Sequence, residues 1–96
     1  MAAYQVTCVT KPERASRHEH ITHIGNTAER WRFTREEAIR RIEAPQPDEF
    51  YVRDALTGKR AVVRVVRETG KDPYLRTQAD GVPTDNLLSL PECPAF

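Results

Sequence analysis

The sequence predicts an α+β fold in which a small, twisted antiparallel sheet of four to five strands carries one helix packed on one face. Three observations predict it: a well-delimited helix signal near the middle of the chain, alternating strand-like segments on both sides of it, and Pro or Gly breaks between the segments. The predicted element order is ββαβββ. A length of 96 residues corresponds to one domain, residues 1–96.

The first two predicted strands precede the helix. Apolar and polar residues alternate from Ala3 to Thr10, and Lys11 and Pro12 end this segment. A second short strand covers residues 20–24 and closes at Gly25. We expect the two strands to pair antiparallel; if the first strand pairs with the last one instead, the sheet would curl into a partial barrel.

The helix is predicted between Thr34 and Glu43. Thr34 followed by Glu37 is a capping box, and Phe33 before the cap with Ala38 inside the helix matches a hydrophobic staple. Pro45 prevents continuation of the helix. Two ion pairs are expected along its surface, namely Glu36–Arg40 and Glu37–Arg41.

The remaining strands follow the helix. Residues 50–54 and 60–67 form a predicted hairpin around Thr57-Gly58-Lys59, where Gly58 suits a positive φ, and residues 74–77 form the last strand. Asp85 is expected to cap one helical turn, after which Leu-rich residues fold back over the sheet. The predicted core consists of Val6, Trp31, Phe33, Ala38, Ile39, Ile42, Phe50, Val52, Val63, Val65, Leu75, Leu87, Leu88 and Leu90.

The composition indicates a soluble globular protein, with 39% hydrophobic and 30% charged residues and no apolar run of about 20 residues. We expect a cytoplasmic location and no membrane partner. Reduced thiols are therefore expected at Cys8 and Cys93, although a bridge between the chain ends is geometrically possible. The net charge of +1 argues against a protein held on nucleic acid mainly by phosphate contacts, unless a local basic patch exists.

One face of the predicted hairpin is the first candidate binding surface. If Phe50 and Val52 face the helix, the opposite face carries tyrosines and arginines: Tyr51, Arg53, Arg60, Arg64, Tyr74 and Arg76. Such side chains suit base stacking and bidentate phosphate binding, although a solvated sheet face often has the same composition. Val62 and Val66 share this face and need cover from the C-terminal segment or from a partner.

Two other groups of residues are weaker candidates. The histidines His18, His20 and His23 resemble a metal cluster, but strand alternation places His23 on the other face, so we expect no metal site. Cys8 with one of these histidines would form a nucleophilic pair, whereas its apolar neighbours favour a small buried residue. The loop candidates Asp80, Asp85 and Asn86 offer oxygens at short range for a cation or a polar ligand, but the residues favour a structural role, with a turn at Asp80 and a helix cap at Asp85.

Several blocks of the sequence carry a family resemblance. The clearest is YLRTQADGVPTDNLLSLPEC over residues 74–93, together with YQVTCVTKPERASRHEHITHIG, WRFTREEAIRRIEA, FYV and TGKR earlier in the chain. With these blocks the sequence resembles DUF3892, a family of small bacterial proteins known only as a domain of unknown function. The resemblance covers nearly the whole chain and implies no activity, cofactor or partner.

Two functional hypotheses follow from the residues. The leading one is a non-enzymatic interaction module that binds protein or nucleic acid through the Arg/Tyr sheet face, without a cofactor. The alternative is a small metal-dependent or hydrolytic enzyme that uses the strand with His18, His20 and His23 or the Asp80–Asn86 loop.

Overall fold

The chain folds into two sheets and one helix. The computed structural model describes residues 3–12, 20–54, 57–79, 82–84 and 86–94. Its elements are β1 (Ala3–Gln5), β2 (Cys8–Thr10), β3 (His23–Asn26), β4 (Trp31–Thr34), α1 (Arg35–Ile42), β5 (Glu49–Arg53), β6 (Arg60–Val66), β7 (Tyr74–Ala79) and β8 (Val82–Thr84). The strand orders are β1-β5-β6-β7-β8 and β2-β3-β4. A mixed fold with one helix is thus confirmed, while the single sheet and the order ββαβββ are wrong.

The second sheet arises because the first predicted strand divides into two. β1 pairs parallel with β5, and β2 pairs antiparallel with β3, as expected for the first two strands. Between them, the Val6 amide donates to the Tyr51 carbonyl at 2.7 Å, and the Thr7 amide donates to the Gly25 carbonyl at 2.8 Å. The chain therefore leaves one sheet and enters the other within two residues.

β4 was not predicted, because the turn between β3 and β4, residues 27–30, contains no glycine or proline. Asn26 is buried and organises this turn: its amide nitrogen donates to the Gln5 carbonyl at 2.9 Å, and its Oδ1 accepts the Glu29 amide at 2.8 Å. Arg30 occupies the left-handed region with φ 59°. β3 and β4 consequently form an antiparallel hairpin directly before the helix.

The helix agrees with its prediction at both ends. The Thr34 hydroxyl accepts the Glu37 amide at 3.1 Å, and the Glu43 amide donates to the Ile39 carbonyl. The Glu37 carboxylate binds Arg40 and Arg41, and hydrogen bonding to Arg40 lowers the pKa of Glu37. The predicted Glu37–Arg41 pair is confirmed.

The predicted Glu36–Arg40 pair is wrong. Glu36 pairs with its neighbour Arg35 at 3.1 Å, whereas Arg40 pairs with Glu37, which precedes it by three residues. Both i,i+3 and i,i+4 neighbours lie on the same helix face, so the choice between them depends on rotamers rather than spacing.

One hydrophobic cluster joins both sheets and the helix. Its fully or nearly fully buried members are Val6, Val9, Ile21, Ile24, Ala38, Ile39, Phe50, Val52, Val63, Leu75 and Leu87. Four rings extend the cluster between the sheets: Tyr4 stacks on Phe50, and Trp31 stacks on Phe33 and contacts both of the others. All predicted core residues are buried or pack against this cluster. Val9, Ile21 and Ile24 are also buried but were not among the predicted core residues.

The C-terminal segment folds back as predicted. Leu87 is fully buried, and Leu88 and Leu90 pack against the core. Beyond them, the Val9 amide donates to the Pro91 carbonyl at 3.0 Å and the Cys93 amide donates to the Val9 carbonyl at 2.9 Å. The segment thus pairs parallel with β2 along an edge that would otherwise be open. Residues 86–90 form turns rather than the expected helical turn, and Asp85 lies outside the described residues.

Cys8 and Cys93 form a disulfide, with their Cα atoms 4.8 Å apart. The expectation of reduced thiols is therefore wrong for this structure. The physical reason is the pairing of the C-terminal segment with β2, which brings together two buried sulfurs separated by 85 residues of sequence.

No helix in the described part of the chain is long and apolar enough to cross a membrane.

Leu87→Ala should lower the free energy of unfolding by about 2–5 kcal/mol, because it leaves a cavity at a fully buried site. Urea denaturation followed by tryptophan fluorescence measures the change. Leu90→Ala removes the same atoms from a half-buried site in the same segment and should cost clearly less. Equal losses in the two variants would contradict the burial described for Leu87.

Replacing both cysteines by serine should lower the free energy of unfolding by roughly 4 kcal/mol, because the bridge closes a long loop in the unfolded chain. Thiol titration of the denatured, unreduced wild-type protein should detect no free thiol. Detection of two thiols per chain after air-equilibrated purification would show that the bridge does not form.

Gly25→Ala should destabilise the protein and slow formation of the disulfide. A Cβ at this position would lie 2.5 Å from the Trp31 carbonyl oxygen and 3.2 Å from each cysteine sulfur. Gly58→Ala is the matched control: it has open space but φ +72°, so its cost is limited to about 1–2 kcal/mol of backbone strain. Thermal melting and the rate of reoxidation after reduction check both effects.

Candidate functional site

The candidate site is the face of the five-stranded sheet that points away from the core. Phe50 and Val52 of β5 are buried on the inner side, so alternate residues lie on the opposite side. We call this side the outer face; with the strand register it comprises Gln5, Glu49, Tyr51, Arg53, Arg60, Val62, Arg64, Val66, Tyr74, Arg76 and Gln78. All six residues of the predicted Arg/Tyr surface therefore share one face.

Two pairs of arginines lie directly opposite each other on this face. Arg53 of β5 faces Arg60 of β6, and Arg64 of β6 faces Arg76 of β7. Directly opposed side chains in an antiparallel ladder have Cβ atoms about 4.5–5.5 Å apart, and like charges in such positions destabilise the sheet. The strand register thus places like charges directly opposite each other at two positions on the outer face.

Tyr51 holds the first arginine pair in place. The Arg60 guanidinium lies over the Tyr51 ring at 4.1 Å from its centroid and is 3.8 Å from the Glu49 carboxylate. The Arg53 guanidinium lies 6.0 Å from the same centroid and donates to the Gly58 carbonyl at 2.8 Å. Cation–π contact and a backbone hydrogen bond therefore fix both guanidinium groups near one ring.

The second arginine pair is asymmetric. Arg76 is half-buried, and its Nε donates to the Thr84 carbonyl at 3.4 Å. Arg64 is exposed and makes no hydrogen bond or ion pair with the described residues. Of the four arginines, Arg64 is therefore the one without a partner among the described residues.

Tyr74 lies on the outer face by register but does not present its ring to solvent. The residue is 8% exposed, and its hydroxyl donates to the Glu68 carboxylate at 2.9 Å. Hydrogen bonding from Tyr74 and then from Lys71 lowers the pKa of Glu68. Tyr74 consequently belongs to the packing of the turn between β6 and β7, and we leave it out of the binding surface.

Several acidic residues elsewhere are paired with basic side chains that lie off the outer face, as follows: Glu37 with Arg40 and Arg41, Asp48 with Arg41, Glu43 with Arg67, and Glu68 with Lys71. Among the described outer-face residues, Glu49 carries the negative charge. The four arginines and Glu49 give the outer face a net charge of +3, so the rest of the chain carries −2 and the total is +1.

The C-terminal segment does not cover the outer face. Leu87 enters the core on the inner side of the sheet, and Cys93 lies beside β2 of the other sheet. Val62 and Val66 remain half-buried on the outer face. The described residues of the C-terminal segment therefore do not cover these two valines, which was the first of the two predicted possibilities.

Of the three loop candidates, Asn86 has a structural contact. Its amide donates to Asp54 Oδ2 at 3.1 Å, while Asp54 Oδ1 accepts the Thr57 amide at 3.1 Å. Asn86 thereby connects the C-terminal segment to the turn of the β5–β6 hairpin. Asp80 and Asp85 lie outside the described residues.

The histidines are only partly described. His18 lies outside the described residues, His20 is exposed, and a ring nitrogen of His23 is 2.9 Å from the Thr22 hydroxyl. Burial, and secondly the charge of Arg32, lowers the pKa of His23. Within the described ranges, no three His, Cys, Asp or Glu side chains are placed to hold a metal ion.

Cys8 cannot act as a nucleophile in this structure, because its sulfur is in the disulfide with Cys93. The catalytic Cys–His pair considered for the sequence is therefore wrong here. Its alternative, a small buried residue, is confirmed by complete burial of Cys8.

A cavity of about 380 Å³ opens at the start of the helix. Its described lining consists of Arg35, Glu36, Ile39, Asp72 and Pro73. The Arg35–Glu36 ion pair lies at its wall, and the lining includes none of the residues predicted as a site. The cavity and the predicted candidates are thus separate.

The fold and the outer face together define a small, mainly β protein with one helix and a basic, arginine-paired sheet surface. Residues 5–91 match the family model described as "Protein of unknown function (DUF3892)", and the chain belongs to this family. No curated protein matches the chain, and no solved structure does.

Stability should fall as the pH decreases below about 6.5, because the lowered pKa of His23 means that the folded state resists protonation more than the unfolded chain does. The stabilisation from neutral His23 is complete above the unfolded pKa and is lost as the pH falls through the folded value. Thermal melting between pH 7.5 and 5.5 measures this slope, and His23→Gln should reduce it. An unchanged slope in the variant would assign the pH dependence to other groups.

Proposed function

We propose that the protein is a non-enzymatic interaction module that binds nucleic acid through the outer face of its five-stranded sheet. The observation that carries the proposal is the presence of two directly opposed arginine pairs, Arg53–Arg60 and Arg64–Arg76, on one solvent-facing surface. Directly opposed like charges lower the stability of a free sheet, and Glu49 beside Arg60 is the acidic residue among the described outer-face residues.

A phosphate bound at each arginine pair would make the net electrostatic interaction there attractive. A phosphate between two guanidinium groups accepts charge-assisted hydrogen bonds from each, and arginine is well suited to bidentate phosphate recognition. The repulsion that costs stability in the free protein then becomes attraction in the complex. The cation–π contact of Arg60 and the backbone hydrogen bond of Arg53 reduce the conformational entropy lost on binding.

The spacing of the two pairs favours a polymer. Arg60 and Arg64 are four residues apart on β6, which corresponds to about 13 Å along an extended strand. One small anion cannot span both pairs, whereas a nucleic acid strand carries a phosphate about every 3.4 Å in a duplex. A chain of regularly spaced charges therefore matches the surface better than a single anionic group.

We also propose that the protein is located in the cytoplasm, as the sequence predicts. Disulfides are uncommon there, but both sulfurs of the Cys8–Cys93 bridge are buried and are shielded from attack by free thiolates. Cell fractionation combined with rapid alkylation of thiols tests location and redox state together. Recovery outside the cytoplasm would contradict the proposed location.

Labelled single-stranded RNA and DNA should bind the wild-type protein at about 50 mM salt and dissociate as salt is added, because phosphate contacts release counterions. Fluorescence anisotropy measures the affinity. The variant Arg53/Arg60/Arg64→Ala should bind roughly tenfold more weakly or worse and show a smaller salt slope.

The matched control is Arg32/Arg40/Arg67→Ala, which removes the same charge from exposed arginines off the outer face and should bind nearly as wild type. Circular dichroism of both variants verifies folding. Absence of binding by the wild type, or equal loss in the two triple variants, would contradict the proposal. Recovery of an acidic protein on the outer face instead would assign the surface to a protein partner.

A further inference from the structure

A row of uncharged side chains crosses the sheet between the two arginine pairs. The strand register aligns Gln5 of β1, Tyr51 of β5, Val62 of β6 and Gln78 of β7. On β6, Arg60 precedes Val62 by two residues and Arg64 follows it by two. On β6 the row is therefore flanked by an arginine on both sides, while on β5 it lies between Arg53 and Glu49.

The row offers both apolar surface and hydrogen-bonding groups. Tyr51 and Val62 are half-buried, and the Arg60 guanidinium lies over the Tyr51 ring, so the centre of the row is a guanidinium–ring layer beside an aliphatic side chain. Gln5 and Gln78 are also half-buried, and their side-chain amides make no hydrogen bond with the described residues, although the Gln5 backbone carbonyl accepts from Asn26. Each amide supplies two donor hydrogens and one acceptor oxygen. The surface between the phosphate-binding arginines is thus able to contact a base.

We infer that this row, Gln5–Tyr51–Val62–Gln78, is a base-contacting subsite that selects single-stranded over double-stranded nucleic acid, with Gln78 reading the base edge. The inference rests on the proposed function. Bases of a single strand can turn toward the protein, stack on an aromatic ring or a guanidinium plane, and present their edges to amides. In a duplex the Watson–Crick edges are paired and the bases are stacked on one another, so they are not free to stack on the Arg60–Tyr51 layer.

The geometry of the first arginine pair supports this arrangement. The Arg60 guanidinium covers the Tyr51 ring at 4.1 Å, so the two side chains form a layered surface next to Val62. A base that extends this layer places its own phosphate near Arg53 and the next phosphates toward Arg64. The distance of about 13 Å between the pairs corresponds to no more than about four nucleotides. A short oligonucleotide should therefore fill the subsite.

Gln78 is assigned the reading role because of its position. It lies on β7 in the interior of the sheet, between β6 and β8, and faces Val62 across the ladder. Gln5 lies on the terminal strand β1 at the other end of the row. An amide held on an interior strand is the better fixed of the two and is the better placed to discriminate between bases.

The test uses anisotropy titrations of the full chain with short single-stranded homopolymers of each base, as RNA and as DNA, and with a duplex of equal phosphate content. Wild-type protein should bind at least one single-stranded homopolymer roughly tenfold more tightly than the duplex and should rank the bases unequally. Gln78→Ala should reduce the spread between bases to about twofold or less without changing the salt slope.

Two further variants separate reading from packing. Gln78→Leu keeps the side-chain volume without the amide and should lose the same base preference, whereas Gln46→Ala, an exposed glutamine off the outer face, should retain it. Equal affinity for duplex and single strands, or a base preference that survives both Gln78 variants, would overturn the inference while leaving arginine-dependent binding intact. Failure of every nucleic acid to bind would overturn the proposed function and the inference together.

Discussion

The transfer of the chain between the two sheets at Val6 and Thr7 is the constraint on which the rest of the structure depends. The Val6 amide binds the Tyr51 carbonyl of one sheet, and the next amide, of Thr7, binds the Gly25 carbonyl of the other. Because two successive peptide groups bind different sheets, the sheets must lie close together with their apolar sides facing the same core. The small sheet, the helix and Leu87 all pack on that inner side. None of these described elements covers the outer face of the large sheet.

The C-terminal segment then closes the structure that this transfer begins. It occupies the open edge of β2 through backbone bonds to Val9 and a disulfide to Cys8, so a strand edge that would invite aggregation is paired. The same segment also contacts the turn of the β5–β6 hairpin, where the Asn86 amide donates to Asp54. The Gly58 carbonyl of that turn accepts a hydrogen bond from the Arg53 guanidinium of the outer face. Closure of the chain ends and orientation of the first arginine pair are therefore mechanically connected.

The sequence predicts the position of a helix or strand where residues within that element determine its ends. Thr34 caps the helix, and Gly58 takes the positive φ of the hairpin turn, so α1, β5 and β6 appear where the sequence predicts them. The division of the first strand was not predictable in this way, because Val6 has the same apolar character in a straight strand as in a crossover. The β3–β4 turn was not predicted, because Arg30, rather than a glycine, occupies the left-handed region. The disulfide depends on long-range pairing that no cysteine spacing reveals.

The candidate site shows the same division between local and long-range information. Strand alternation alone places the arginines and tyrosines on one face, but only the register between strands shows that Arg53 opposes Arg60 and that Arg64 opposes Arg76. Alternation also assigned Tyr74 to the open surface, whereas its hydrogen bond to Glu68 and its burial remove it. The sequence thus identified the face, and the pairing supplied the reason to regard it as a site.

Charge segregation explains how a nearly neutral chain carries such a surface. Ion pairs around the helix, such as Glu37–Arg41 and Glu43–Arg67, neutralise each other within the helix and its contacts. The repulsion on the outer face is then compensated by the strand pairing and core burial beneath it, which involve Phe50, Val52 and Val63. A rigid, well-packed sheet can hold like charges together that a flexible loop would move apart. For this reason a sheet face is a suitable support for preformed anion contacts, and the overall charge of a sequence is a poor guide to them.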